Sequence, residues 1–357
     1  MPVQKSSQKS SRKSKTTPKG KRILITGGLG LIGHNVVVQL QKKKHHVEIV
    51  DVLTTYGSTN RDELEYLYNE RIAKLHPDSI LHQVDINNLA FDDVFANFKP
   101  EIVIHLASFP REKAVKANPI EAAYTMCQGL TRVLENCKTY GVQKILYASS
   151  SMVYGNFEDD VAEDAVLNPQ GAYAVWKAAG ENLVKEYHRA HGLDYVIIRP
   201  SAVYGPLDIG DRVIAKFLLT AMKDGTLNVN GANEKLDFTY VEDCAAGMVA
   251  AVLSKHTGTY NITKSHSCTL KEAAELAVKL AGKGKINVRD KDADFPSRGA
   301  LDISRAKKDF GYAPKVDIAE GFEIYYKWLS TSEYWNPKPV EPKPKRVITR
   351  KYKPKKQ

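Results

Sequence analysis

The chain has 357 residues, of which 43% are hydrophobic and 26% charged, and a formal net charge of +11. That composition excludes a chain disordered throughout, and with no run of 18 apolar residues it excludes a membrane-spanning helix. Residues 1–22 carry +8 and residues 331–357 carry +7, so taking both from +11 leaves −4 for residues 23–330. The basicity belongs to the ends and not to a folded face, which argues against a specific nucleic-acid-binding domain.

Residues 1–20 are mostly Lys, Ser, Thr, Gln and Pro. They predict a disordered basic tail, too Lys-rich and too poor in apolar residues for a signal or transit peptide. From Lys21, short β-branched apolar runs alternate with amphipathic stretches. The predicted strands are 22–26, 46–51, 80–86, 101–108, 144–150 and 194–201, and the predicted helices include 31–43, 116–139 and 171–191. This is the α/β pattern of a doubly wound (Rossmann) parallel sheet, expected over 21–205, with ligands outside the carboxyl ends of its strands. After residue 205 the rhythm changes. A helix (211–224), the strand TLNVNG, the segment LDFTYVED, a helix (243–254), TYNIT, and helices 270–282 and 318–330 predict a smaller mixed lobe over 206–330. A segment near 236–262 returns to the first domain. Residues 331–357 alternate Lys and Pro and predict a second disordered tail, solubilising or weakly drawn to anionic surfaces. The length fits about two lobes of about 150 residues. Cys127, Cys137, Cys244 and Cys268 show neither C-x-x-C nor zinc spacing, so reduced thiols, no metal site and a soluble cytoplasmic protein are expected.

Three sets of residues carry chemistry. The first strand runs into TGGLGLIG, with glycines at 27, 28, 30 and 33. Strand, glycine turn and helix together are the context a dinucleotide pyrophosphate needs, because the turn brings backbone close and the helix N-terminus faces the phosphates. Asp51 ends the next strand, 18 residues after Gly33, where an acid accepts from ribose hydroxyls and repels a 2′-phosphate; NAD is therefore expected over NADP. Asp85, at the end of the third strand, is placed to meet the adenine. Tyr173 and Lys177 form Y-x-x-x-K, and i, i+4 positions share one helix face. An ammonium there offsets the roughly 4 kcal/mol needed to bring a tyrosine from pKa ~10 to ~7, where it serves as a base. Upstream, Ala148-Ser149-Ser150-Ser151-Met152-Val153-Tyr154-Gly155 puts hydroxyls at a strand's carboxyl end, able to bind the oxygen that Tyr173 deprotonates.

The ordered set TGGLGLIG, Asp51, HLAS, SSSMVYG, YAVWK and RPSAVYGP closely resembles the extended short-chain dehydrogenase/reductase family, in its NAD-dependent nucleotide-sugar epimerase/dehydratase branch. It is similar there to the UDP-glucose/UDP-galactose 4-epimerases. The resemblance spans residue 21 to about 330. It implies Ser150 as catalytic serine, Tyr173 as base and Lys177 on the nicotinamide ribose. It implies Gly27, Gly30, Leu31, Ile32, Asp51, Asp85, Ile86, His105 to Ser108 (with Leu106 and Ala107) and Pro200 along the cofactor. Ser150, Ser151, Arg212 and Arg298 are implied for the substrate, a nucleotide sugar held by the later lobe. Members are commonly homodimers through helices equivalent to 116–139 and 171–191.

The resemblance also excludes. The 4,6-dehydratases of this branch carry Asp-Glu directly after the catalytic residue, and here Ser151 and Met152 stand there, neither able to serve as the acid or base of an elimination. What remains is oxidation and re-reduction at one carbon: a nucleoside-diphosphate-sugar 4-epimerase. The alternatives are a net NAD-dependent dehydrogenase or keto-sugar reductase of the same family, epimerisation by carbanion chemistry at C3 or C5 or at C2, or a non-catalytic NAD-binding protein. Two departures bear on the substrate. Leu236, beside Lys235, replaces an arginine that many members place before Asp-Phe, and Ala202 replaces an asparagine. Arg111 and Lys113, after the fourth strand, are candidates for reading an acidic sugar.

Overall fold

The computed structural model describes residues 20–54, 60–291 and 296–336, so residues 1–19 and 337–357 of the two expected tails lie outside the described residues. β1 (Arg22–Thr26), α1 (Leu31–Lys42), β2 (His46–Val50), α2 (Arg61–Ala73), β3 (Ile80–His82), α3 (Ala90–Phe98) and β4 (Ile102–His105) alternate through the first third. α4 (Glu112–Ala117), α5 (Pro119–Ala123), a π turn (Tyr124–Gly129) and α6 (Leu130–Thr139) lead to β5 (Lys144–Ala148). A 3-10 turn (Ser151–Tyr154), α7 (Ala172–His191) and β6 (Asp194–Pro200) follow. Then come β7 (Val203–Tyr204), α8 (Val213–Met222), β8 (Thr226–Asn230), β9 (Lys235–Asp237), β10 (Thr239–Tyr240), α9 (Val241–Leu253) and β11 (Gly258–Ile262). β12 (Ser267–Thr269), α10 (Leu270–Ala281), β13 (Lys285–Arg289), α11 (Ser304–Phe310) and α12 (Ile318–Thr331) complete the described elements.

Seven strands form one parallel sheet in the order β3-β2-β1-β4-β5-β6-β11. Its strands are apolar on both faces because helices cover both. On one side Ile23 and Ile25 of β1 pack with Val36, Val37 and Leu40 of α1 and Met248 and Val252 of α9. On the other, Leu24 packs with Phe91 and Phe95 of α3, Leu134 of α6 and Val184 of α7. The chain runs from β1 outward to β3 and then crosses back to β4, so the sheet's order reverses between β1 and β4. A crevice opens outside the carboxyl ends at such a point. β11 lies beside β6 and α9 packs against α1, so this late part of the chain belongs to the sheet. The pairs β8–β13 and β9–β12 pack with α8, α10 and α12 around Phe217, Leu218, Ala274 and Phe322, forming a second lobe above the crevice.

Three local expectations differ. The single helix expected over 116–139 is broken, because Asn118 leaves helical dihedrals (φ −139°, ψ 64°) and Pro119, with no N–H, starts a new helix at its first position. The strand expected over 80–86 stops at His82, and the Asp85 carboxylate accepts from the Asn87 N–H at 2.8 Å, holding a turn in place of the ladder. Residues 331–336, read from sequence as the start of a disordered tail, are held: Ser332 Oγ donates to Tyr66 Oη at 3.0 Å and Tyr334 stacks on Tyr66 with ring centroids 5.4 Å apart. Aromatic area in that short stretch outweighs its polar composition. All four cysteines are free. Among the described residues, no helix is long and apolar enough to cross a membrane, and no cluster of metal-ligating side chains occurs.

Candidate active site

The glycine turn is shaped by contacts that a side chain would destroy. Gly27 sits at φ +69°, and a Cβ there would fall 2.6 Å from the Ala107 nitrogen. A Cβ at Gly33 would fall 2.3 Å from the Gly27 carbonyl oxygen. β1, the turn, α1 and the segment after β4 can therefore approach only with glycine at these positions. α1 begins at Leu31 with no acidic residue in its first turn, so its free N–H groups face the crevice unopposed. Asp51, just past β2, is buried. Its Oδ2 accepts from Leu29 N and its Oδ1 from Leu53 N, both at 2.9 Å, and burial raises its carboxyl pKa. The Val52 N–H also bonds this carboxylate, and with about four acceptor positions in all it keeps capacity for a further donor.

Tyr173 and Lys177 lie on the crevice face of α7, both buried. The Lys177 ammonium stands 5.8 Å from the Tyr173 ring centroid and donates to the Ala148 carbonyl at 2.6 Å. Burial pulls Lys177 down to about 7. Burial pushes the Tyr173 phenol above its ordinary value, and a hydrogen bond with Ser150 and the charges of Arg212 and Arg298 pull against that. Ser150 caps the 3-10 turn, its Oγ accepting from Met152 N at 3.2 Å. This turn holds the hydroxyl opposite α7.

A buried ion pair fixes these parts to one another. Arg199 on β6 donates to both oxygens of Glu181 on α7 at 2.9 and 2.6 Å, and neither side chain is exposed. Ser149 Oγ donates to Glu181 Oε1 at 2.5 Å, Arg199 Nη1 donates to Tyr154 Oη at 2.8 Å, and Tyr154 Oη donates to Asn261 Oδ1 at 2.8 Å. The serine motif, α7, β6 and β11 are thus one rigid unit.

A cleft of about 690 Å³ runs from the glycine turn past Tyr173 to the second lobe. All but one of the sequence-predicted site residues line it: Gly27, Gly30, Leu31, Ile32, Asp51, Asp85, Ile86, Leu106, Ala107, Ser108, Ser150, Ser151, Tyr173, Lys177, Pro200, Arg212 and Arg298. His105 does not. It is buried behind the wall, its Nδ1 hydrogen-bonded to Thr26 Oγ1 at 2.7 Å, and burial drops it to about 3, so the ring is neutral and joins β1 to β4. Several cleft residues have buried polar atoms with no partner: Ser151 Oγ, Ser201 Oγ, Asp208 Oδ2, Arg111 Nε, Glu112 Oε1 and Arg298 Nε. Unpaired buried polar groups are costly, and their gathering along one cleft suits a polyhydroxylated, anionic ligand that would satisfy them.

The family model described as the NAD dependent epimerase/dehydratase family matches residues 23–263. The chain belongs to that family. It is 29% identical over 316 residues to an uncharacterized UDP-glucose epimerase, YtcB, of Bacillus subtilis, covering 87% of this chain and 98% of that protein. It is 30% identical over 324 residues to UDP-glucuronic acid decarboxylase 6 of Arabidopsis thaliana, covering 88% and 90%. Among solved structures, the Bacillus cereus UDP-glucuronic acid 4-epimerase with UDP-glucuronic acid and NAD superposes with a TM-score of 0.79 at 27% identity, covering 87% of this chain and 99% of that one.

The residues present fit the family's NAD. The glycine cradle admits backbone to a pyrophosphate, α1 offers free N–H groups, and Asp51 has acceptor capacity for ribose hydroxyls. Arg71 of α2, also on the cleft wall, donates from its terminal nitrogens to Leu29 O at 2.8 Å and Leu207 O at 2.6 Å, which ties α2 to the glycine turn and to the segment after β7. On the substrate side, Arg298 is half-buried and burial pulls it down to about 10, leaving it cationic at neutral pH. Lys235 does not replace the arginine lost at Leu236, since it pairs with Asp159 at 3.0 Å on the surface. Ala202 takes φ +37°, the left-handed region that asparagine tolerates better. Arg111 pairs with Asp211 at 2.7 Å, which neutralises its charge, and Lys113 is exposed at the rim. Glu112, Asp208 and Arg71 escaped the sequence reading. Glu112 and Arg71 act on partners far along the chain, 61 and 136 residues away, and no local spacing marks them.

Proposed function

We propose that this chain is an NAD-dependent 4-epimerase of nucleoside-diphosphate sugars. The observation that carries the reading is the Ser150–Tyr173–Lys177 group at the sheet's reversal point, with Ser151 and Met152 where an elimination would need an acid. Elsewhere in the cleft, Glu112 Oε2 accepts from Tyr173 N and Asp208 Oδ1 from Ile209 N, each carboxylate keeping one oxygen without a protein partner. NAD, when bound, supplies a reversible hydride acceptor. Tyr173 takes the proton of the sugar 4-hydroxyl, with Lys177 stabilising the phenolate and Ser150 hydrogen-bonding the same oxygen. The 4-keto sugar turns its other face, and Tyr173 returns the proton as the carbon is reduced. Arg298 and Arg212 hold the diphosphate, and the second lobe encloses the nucleotide.

The test is proton NMR of purified protein with catalytic NAD and a panel of UDP-, GDP- and dTDP-hexoses, hexosamines and uronates. A new anomeric signal from one C4 epimer is expected, and Tyr173→Phe abolishes it. Net NADH with no epimer would instead identify a dehydrogenase. The same reading includes a homodimer through α6 and α7, supported by exposed Ile120, Tyr124 and Val175 on that side. It places the protein in the cytoplasm, supported by four free cysteines, with the basic termini attracting anionic surfaces.

A further inference from the structure

The catalytic helix begins in an unusual way. Its N-cap is Gly171, at φ 84° and ψ 155°, and no side chain of its own caps it. The first N–H groups of a helix have no intrahelical partner, and a cap side chain ordinarily bonds the second or third of them. Here the second residue of the helix is Tyr173 itself, and its N–H donates to Glu112 Oε2 at 3.0 Å. Glu112 comes from α4, on the far side of the crevice mouth, and is buried. A Cβ built on Gly171 would lie 2.7 Å from the Glu112 carboxyl carbon and from both its oxygens. The carboxylate therefore occupies the space that a cap side chain would fill, and the two arrangements exclude each other. The neighbouring Arg111 is paired with Asp211, and the Glu112 carboxylate lies at the positive end of α7.

We propose that Glu112 is a positioning residue for Tyr173: its carboxylate, reaching across from α4, caps the catalytic helix in place of the missing side chain at 171 and fixes where the phenol stands in the cleft. The inference rests on the proposed role of Tyr173 for its catalytic meaning, but the cap itself does not depend on that role. Tyr173 is faced by Ser150, Arg212 and Arg298, by Glu112, and by Lys177. Glu112 is the negative group of this set, so it opposes ionisation of the phenol while holding it in place.

The experiment compares Glu112→Ala and Glu112→Gln in the full chain with NAD. Hydrogen exchange is read on the peptide spanning residues 165–180. Glu112→Ala is expected to speed exchange in the first turn of α7 several-fold and to lower kcat about tenfold or more through misplacement of the base. Glu112→Gln keeps an acceptor for the Tyr173 N–H and is expected to keep the protection. With the negative charge gone, the acid limb of its kcat/KM profile moves to lower pH, a change that a purely structural residue would not cause. Wild-type exchange in Glu112→Ala overturns the proposal. Should that variant fail to fold, Glu112→Gln decides it: a shifted limb with retained protection supports the proposal, and an unmoved limb overturns it. A wild-type protein that turns over no nucleotide sugar would defeat the functional reading alone, because the exchange arm is read without turnover.

Discussion

Replacing Lys177 by Met separates the electrostatic role of this residue from its bulk. Burial disfavours the ionised form of both partners: Lys177 falls to about 7 and Tyr173 rises above its ordinary value. Each is hard to ionise alone, and the phenolate–ammonium pair ionises as a unit. With the ring-centroid distance of 5.8 Å taken as the charge separation and an effective dielectric near 20, the attraction is about 2.9 kcal/mol, or about two pKa units. Tyr173 works as a base only when deprotonated, so removing the ammonium raises its pKa and moves the acid limb of activity to higher pH. The expectation for Lys177→Met is a limb displaced upward by about two units and a kcat/KM lower by about a hundredfold near neutral pH. The assay is a pH profile of epimer formation at saturating NAD, since the same lysine is placed to hold the cofactor's ribose. A variant that loses NAD affinity but keeps the wild-type limb at saturation would refute the electrostatic argument.

Two further perturbations follow from the cleft wall. Arg298→Gln removes a cation whose Nε is buried without a partner, so initial-rate kinetics should show KM for the nucleotide sugar raised about tenfold to about a hundredfold, the worth of one or two charge-assisted hydrogen bonds, with kcat changed far less. An unchanged KM would remove Arg298 from the substrate site. Ala202→Asn places a residue tolerant of left-handed dihedrals at φ +37°, with its amide directed by position toward the cleft. Thermal melting should rise by about 1–2 °C and KM should fall; a lower melting temperature would show that the turn is not strained.

Much of this architecture was legible because it is written in local periodicity. Continuous apolar runs such as RILIT and KILYA can be stable only as strands covered on both faces, and they form β1 and β5 of the central sheet. TGGLGLIG was legible for a steric reason, since only glycine fits between β1, α1 and Ala107. Tyr173 and Lys177 were legible because i, i+4 spacing on a helix guarantees a shared face. What stayed hidden depends on long-range packing. Glu112 reads as an ordinary surface acid beside Arg111, and nothing short of the folded chain brings it to the start of α7. Arg199 reads as one residue of a motif, whereas its work is to clamp Glu181, Tyr154 and the serine turn together. The break at Asn118–Pro119 was visible in the proline, but amphipathicity on both sides concealed it.

The central claim is that oxidation and reduction occur at one carbon with Tyr173 moving the proton. The most direct measurement is the reaction run in D2O with a UDP-hexose carrying protium at C4, followed by proton NMR and mass analysis of the epimer. The account predicts a C4 epimer that retains the original hydrogen at C4 and takes up no solvent deuterium on carbon. Deuterium at C3 or C5 would contradict it, because that label is the mark of inversion through a carbanion.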